Sequence, residues 1–308
     1  MILVLNLNAS VDKRYTLQDF VKGEVQRADA VDNTPGGKGL HVANVDTILG
    51  ENTLVTGWLG GKSGEFIAEH TKDYGIQGDF VPTAGETRSC LAIITADGAQ
   101  TELLEPGPTI TADELAAFRA KYKVLLQEAD VVVASGSLPR GVPVNFYAEL
   151  CRTAHALGKK FLLDTSGARL AAGIAAKPDF IKPNKDEIEA LRGRPVKDEA
   201  AVVREVQAFL DDGIPLAVVS LGAAGSIAGC AEGLFRVTVP HIECRNPVGS
   251  GDSFVAGAAA GFARQLPLTD LLRLAAACGT ANAMEEESGF VRRETVEALL
   301  PQITVTRL

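Results

Sequence analysis

The chain has 308 residues, 46% of them hydrophobic and 22% charged, with 31 glycines and 14 prolines. That is an ordinary globular mix, which excludes collagen-like and low-complexity chains and is enough to bury a sizeable core without staples. The formal net charge of −9 excludes a general nucleic-acid-binding face, which needs a basic surface, but leaves room for a local basic pocket around a phosphate.

In chain order, residues 1–14 carry no basic segment ahead of a short apolar run, so no signal peptide is expected. No stretch has the length of a membrane span, and a cytoplasmic protein is expected. Apolar runs bounded by turn residues predict strands at 2–7, 131–134, 161–164, 180–182 and 217–221. Apolar positions three and four apart predict helices at 39–49, 112–129, 144–157, 199–210, 253–264 and 268–286, with Thr111 and Glu114 as a capping box. Strands alternating with helices imply a mainly parallel sheet covered on both faces, with ligands at the carboxyl ends of its strands.

Two pieces break the alternation. Segments 15–20 and 24–30 read as strands joined near Lys22-Gly23, and 89–94 with 100–104 read as a hairpin around the turn at 95–99. Together they predict a small second sheet, either an edge extension of the main one or a lid over the site. Apolar positions such as Leu91, Ile93 and Leu103 need cover, and a second copy of the chain is expected to supply it. The five cysteines (Cys90, Cys151, Cys230, Cys244 and Cys278) form no CxxC and are expected to be reduced and mostly buried.

The sharpest chemical feature is the run Asn246-Pro-Val-Gly-Ser-Gly-Asp-Ser-Phe254, a glycine-rich turn leading into an Ala/Gly-rich helix. Glycines there let backbone amides approach an anion, which the helix dipole favours. Asp252 then reads equally as a helix cap or as a general base for phosphoryl transfer to a hydroxyl. The run is not a dinucleotide fingerprint, because Phe254 stands at the third glycine position. Residues 57–63 are one residue short of a P-loop and read as a tight turn. No metal cluster stands out among the four scattered histidines. Weaker features are Pro35-Gly36-Gly37-Lys38-Gly39, the strand-end turn 220–225, and Lys182-Pro-Asn-Lys-Asp-Glu187, where Asn184 and Glu187 have capping-box spacing.

The order of these features, with Ser-Gly-Ser-Leu-Pro-Arg-Gly at 135–141, resembles the PfkB group of ribokinase-like carbohydrate kinases over essentially the whole chain. Within it, the stretches 85–90, 100–105 and 246–253 are most similar to the 1-phosphofructokinase and tagatose-6-phosphate kinase branch. The resemblance implies a three-layer α/β/α fold with a central mainly parallel sheet, one kinase domain over 1–308, and a β-sheet lid from about 12–33 and 86–106. It implies ATP as donor, Mg²⁺ and a homodimer joined through the lids. Asp252 would be the base, and the amides of Gly249, Ser250 and Gly251 the anion hole. Asp12, Gly37, His41 and Ser137 would line the sugar pocket, with Lys38 and Arg88 on the phosphate the sugar already carries. Ser220, Gly222, Gly225 and Gly251 would line the nucleotide site, with Asn184 near the phosphates, Asn282 near the base and Glu187 organising the metal. Two positions depart from the group's pattern. Ala9 stands where a proline is usual, and His41 where an asparagine touches the sugar. Fructose 1-phosphate is the expected acceptor, then tagatose 6-phosphate, then an unphosphorylated sugar.

Overall fold

The computed structural model describes residues 1–308. Short Val/Ile/Leu-rich runs form the strands at the middle of the sheet: Ile2–Leu5, Val131–Ser135, Lys160–Asp164, Phe180–Ile181 and Leu216–Ser220. Side chains alternate across such a strand, so Ile2 and Val4 enter one hydrophobic core and Leu3 and Leu5 the other. One core lies under helices Lys38–Ile48, Ser250–Ala263 and Leu268–Ala283, and the other under Ala112–Leu125, Phe146–Ala156 and Glu199–Asp211. The result is a three-layer sandwich around a ten-stranded sheet. Its strands are parallel from Gln77–Gly78 at one edge to Leu216–Ser220, and three antiparallel strands (Ser226–Cys230, Gly233–Thr238 and Thr304–Arg307) complete the other edge.

Helices Ser250–Ala263 and Leu268–Ala283 pack unusually closely. A Cβ on Gly257 would lie 2.7 Å from the Cα of Ala275, so only glycine permits this approach. Both expected capping boxes form, Thr111 with Glu114 and Asn184 with Glu187.

Four strands make the second sheet, in the order Ala30–Gly36, Ser10–Leu17, Arg88–Thr95, Gln100–Leu104. The expected hairpin is present, but the other two strands are displaced from 15–20 and 24–30. The intervening chain is held as a loop by local side chains. Asp19 accepts from the Phe20 amide at 2.7 Å, and Gln26 bonds the Val21 amide and the Asp19 carbonyl at 2.9 and 3.0 Å. Val25 there is 98% exposed, so its alternation with polar neighbours reflects no buried face.

The segment that resembled a P-loop ends strand Trp58–Leu59 and opens helix Gly61–His70. The carboxylate of Glu86 occupies that helix start, accepting from the amides of Lys62 and Ser63 at 3.2 and 2.7 Å. Cys151 and Cys278 are buried, Cys90 and Cys230 half-buried, and Cys244 exposed, so the thiols are less buried than their composition suggested.

Candidate active site

A cleft of about 1140 Å³ opens between the carboxyl ends of the parallel strands and the small sheet, which covers it as a lid. Each central strand ends in a polar residue at this rim: Asn6 and Asn8 after Ile2–Leu5, Ser135 to Ser137 after the next, then Asp164 and Lys182.

The helix Ser250–Ala263 starts at this rim. Its N-cap, Gly249, has φ 84°, and a Cβ on it would lie 2.4 Å from the Gly289 nitrogen. Of the three amides expected to form an anion hole, Ser250 is committed, since its N–H donates to the Pro247 carbonyl at 3.2 Å. The amides of Gly249 and Gly251 have no protein acceptor, and neither does that of Asp252, as helix geometry dictates for the first turn. The free donors are therefore Gly249, Gly251 and Asp252.

The Asp252 side chain makes no capping bond. Its carboxylate is buried, with Oδ2 2.9 Å from His41 Nδ1 and Oδ1 3.9 Å from Lys38 Nζ. These contacts belong to a row of alternating charge. Asp12 lies 3.6 Å from His41 on one side, Asp164 lies 3.4 Å from Lys38 on the other, and Lys182 follows 3.7 Å beyond. Asp164 holds Lys38 charged well above its ordinary range against the cost of burial, with Asp252 and Glu187 adding to the effect. Burial opposes ionisation of Asp164, but Lys38 and Lys182 outweigh it and hold the carboxyl below its usual range.

The Gly36-Gly37-Lys38-Gly39 turn is shaped by this row. A Cβ on Gly36 would lie 2.1 Å from the Asp12 carboxyl carbon, and one on Gly39 would lie 2.7 Å from the Asn6 Cβ. The glycines thus let the lid strand and the first sheet strand close on the helix bearing Lys38 and His41.

A model of the pfkB family of carbohydrate kinases matches residues 5–293. The chain belongs to that family. A Staphylococcus aureus protein named as a phosphofructokinase is similar at 31% identity and TM-score 0.85, over 100% of this chain and 99% of that one. Phosphofructokinase-2 of Escherichia coli matches at 26% identity and TM-score 0.92, over 98% of each chain. A Thermotoga maritima protein named as a 1-phosphofructokinase matches at 26% identity and TM-score 0.88, over 100% and 99%. The fold is the ribokinase-like one, and this pfkB kinase transfers a phosphoryl group from ATP to a sugar hydroxyl.

The residues expected to bind sugar or its phosphate all line the cleft of the pfkB kinase: Asp12, Gly37, Lys38, His41, Arg88 and Ser137. Arg88 is anchored by the Asn8 carbonyl at 3.1 Å and the Glu105 carbonyl at 2.9 Å, and Asn8 donates to Ser137 Oγ at 2.9 Å. Arg88 and Ser137 therefore belong to one cluster. Lys38, expected on the sugar's own phosphate, has its ammonium 3.4 Å from Asp164 and 3.9 Å from Asp252. His41, expected on the sugar, turns both ring nitrogens to carboxylates.

Of the expected nucleotide residues, Gly251 lines the cleft, and Asn184, Ser220, Gly222, Gly225 and Asn282 sit outside its walls. Asn184 and Ser220 end neighbouring strands and pair through an isolated bridge, the Ser220 amide donating to the Pro183 carbonyl at 3.1 Å. Gly222 has φ 59° with open space around it, whereas a Cβ on Gly225 would lie 2.1 Å from the Val237 carbonyl oxygen. Gly222 thus leaves the shelf open, while Gly225 lets the turn pack down. Asn282, expected near the base, is fully buried and its amide is saturated: it donates to Val248 O and Ser250 Oγ at 2.8 and 3.3 Å and accepts from Ser253 Oγ and Gly289 N at 3.0 and 2.8 Å. It ties the 246–250 turn to the following helix and has nothing left for a nucleotide base.

No group of three or more His, Cys, Asp or Glu side chains is placed to hold a metal ion. Glu187 spends one carboxylate oxygen on the Asn184 amide at 2.9 Å and keeps the other free. One free carboxylate oxygen fits Mg²⁺, which keeps most of its waters and takes other ligands from substrate phosphates.

Sequence reasoning missed Asp164, Lys182, Arg14 and Arg169. Asp164 and Lys182 were visible as charges closing otherwise apolar strands. Arg14 and Arg169 line the cleft without an ion pair, each with a buried Nε lacking a partner, and only the fold brings them there.

Proposed function

We propose that this kinase phosphorylates a ketohexose monophosphate, fructose 1-phosphate in the first place and tagatose 6-phosphate in the second, to give the bisphosphate. The observation that carries the reading is a buried carboxylate, Asp252, one residue beyond glycine amides free to bind an anion, at the end of a cleft with unpaired guanidiniums. Asp252 Oδ1 takes the proton of the accepting hydroxyl. The amides of Gly249 and Gly251 hold the transferring phosphoryl, and Lys38, beside Asp252, adds positive charge there. Arg88 and Ser137 hold the phosphate the sugar already carries, where a planar guanidinium can bind two oxygens. Asp12 and the Gly37 turn hold sugar hydroxyls. ATP lies on the shelf of Asn184, Ser220, Gly222 and Gly225. Mg²⁺ would supply neutralisation of phosphate charge, and Glu187, with one free carboxylate oxygen, would hold it.

The lid supports a homodimer. Val31 and Leu103 share the sheet face turned away from Asp12 and Arg88 and remain 48% and 55% exposed. A second copy of the lid is the partner of matching chemistry. Escherichia coli phosphofructokinase-2 is described in a tetrameric inhibited form, so relatives do assemble.

The test is ADP release measured across fructose 1-phosphate, fructose 6-phosphate, tagatose 6-phosphate and their unphosphorylated sugars. Turnover of free fructose as efficient as that of its phosphates would overturn the phosphosugar assignment.

A further inference from the structure

His41 is held from three sides. Its Nδ1 lies 2.9 Å from Asp252 Oδ2, and its Nε2 lies 3.6 Å from Asp12 Oδ2 on the lid strand Ser10–Leu17. The third contact is Gly289, where a Cβ would lie 2.4 Å from His41 Cβ and 2.5 Å from Cγ, so only glycine fits against the ring. Gly289 is itself fixed, its amide donating to Asn282 at 2.8 Å and its carbonyl accepting from Asn44 at 2.9 Å. The ring is therefore wedged, with Nδ1 committed to Asp252 and Nε2 facing Asp12.

The other charged groups around it are few. Lys38, on the same helix, reaches the second oxygen of Asp252 at 3.9 Å. A narrow crevice behind the ring holds Tyr74 and Glu287, whose hydroxyl and carboxylate are 3.4 Å apart. Burial opposes a charge on His41, but hydrogen bonds to Asp12 and Asp252 outweigh it and raise the imidazole to about 10. Nδ1 lies within hydrogen-bond distance of Asp252, and Nε2 faces Asp12 at 3.6 Å.

We infer that His41 is a positioning residue: it fixes the Asp252 carboxylate through Oδ2 and so presents Oδ1 to the accepting hydroxyl. The terminal torsion of an aspartate is broad, and without this clamp only Lys38, 3.9 Å from Oδ1, is left to orient the carboxylate. Alignment is what phosphoryl transfer asks of the protein, because the loose transition state leaves it little covalent chemistry to do. The inference rests on Asp252 being the base, as proposed above.

Two substitutions separate positioning from sugar contact. His41→Leu keeps bulk without a donor, and His41→Asn keeps an uncharged N–H donor near the place of Nδ1. In His41→Leu, kcat is expected to fall about 100-fold while KM for the phosphosugar changes less than about threefold, as for loss of an alignment made in the transition state. His41→Asn should recover about tenfold of that loss, with the acid limb of its kcat/KM profile moved to higher pH, since a cation beside Asp252 is gone. A KM rise above about tenfold with unchanged kcat in His41→Leu would make His41 a sugar contact and overturn the inference. The second measurement needs no substrate. Ring ¹⁵N NMR, assigned against His41→Asn, should show an imidazolium at pH 8 that titrates at least about one unit lower in Asp252→Asn. An Nδ1 that carries no proton at pH 8 would overturn the clamp whatever the substrate. A charged ring in a protein that phosphorylates none of the sugars above would leave the His41–Asp252 pair standing and reject the ketohexose acceptor proposed above.

Discussion

Gly249 and Gly289 back onto each other so closely that a Cβ on the first would lie 2.4 Å from the amide nitrogen of the second. The anion-binding turn and the wedge behind His41 are therefore one packed unit, joined by Asn282. Gly249→Ala, at φ 84°, introduces left-handed strain as well as a backbone collision. We expect kcat to fall by about 100-fold, the scale for losing oxyanion-type donors, with the circular dichroism spectrum unchanged. An alanine variant with normal turnover would remove the turn from the chemistry.

Asp252→Asn keeps the size of the side chain but cannot take a proton. Initial rates at saturating substrates should drop by roughly 10²–10⁴-fold, the range for loss of a general base. Affinity for ATP, read by equilibrium dialysis, should stay within about twofold, because the nucleotide shelf lies apart from the carboxylate.

Arg88 and Arg169 line the cleft without carboxylate partners. A charge-assisted hydrogen bond to phosphate contributes about 1.5–3 kcal/mol net. Arg88→Ala and Arg169→Ala should each raise KM for the phosphosugar by about 10–100-fold, with KM for ATP nearly unchanged. Equal rises in both KM values would place these residues on the donor side.

Glu114 accepts from the amides of Thr111 and Ala84, both at 2.7 Å. Burial opposes its ionisation, but these bonds prevail and lower its carboxyl to about 2. A carboxyl depressed in the folded state contributes stability that is present above its ordinary value near 4.5 and lost as pH falls toward 2. In Glu114→Gln, Tm should be lower at pH 7 and should lose part of its decline between pH 5 and 2. A Tm–pH curve parallel to that of the unaltered protein would contradict this.

The lid interface predicts a loss of association. Ile93 is buried within one copy, so a charge there would disturb the lid sheet itself. Leu103→Asp, on an exposed side chain of the same face, is the cleaner probe. Sedimentation should show a dimer at micromolar concentration that becomes a monomer in Leu103→Asp with an unchanged Tm. A fully active monomer before any substitution would rule the dimer out.

The sequence alone determined the layers, because buried parallel strands write themselves as short apolar runs and their helices as apolar positions three and four apart. It also determined the glycine turn before Asp252, since a helix start that receives an anion needs residues without a Cβ next to each other in the chain. The lid strands around residues 10–36 were legible only in part. One of their faces lines a polar cleft, so Asp12, Arg14, Asp32 and Thr34 hide the alternation, while the loop holding Val21 and Val25 imitates it. Tertiary structure alone decided what the charges do. Asp12, His41, Asp252, Lys38, Asp164 and Lys182 come from five separate segments and form one alternating row. Their pairing depends on distances of a few ångströms across the rim of the sheet, which no local pattern encodes. The same holds for Asn282, which as a sequence position suited a ligand and in the fold is saturated by the backbone of the turn it supports.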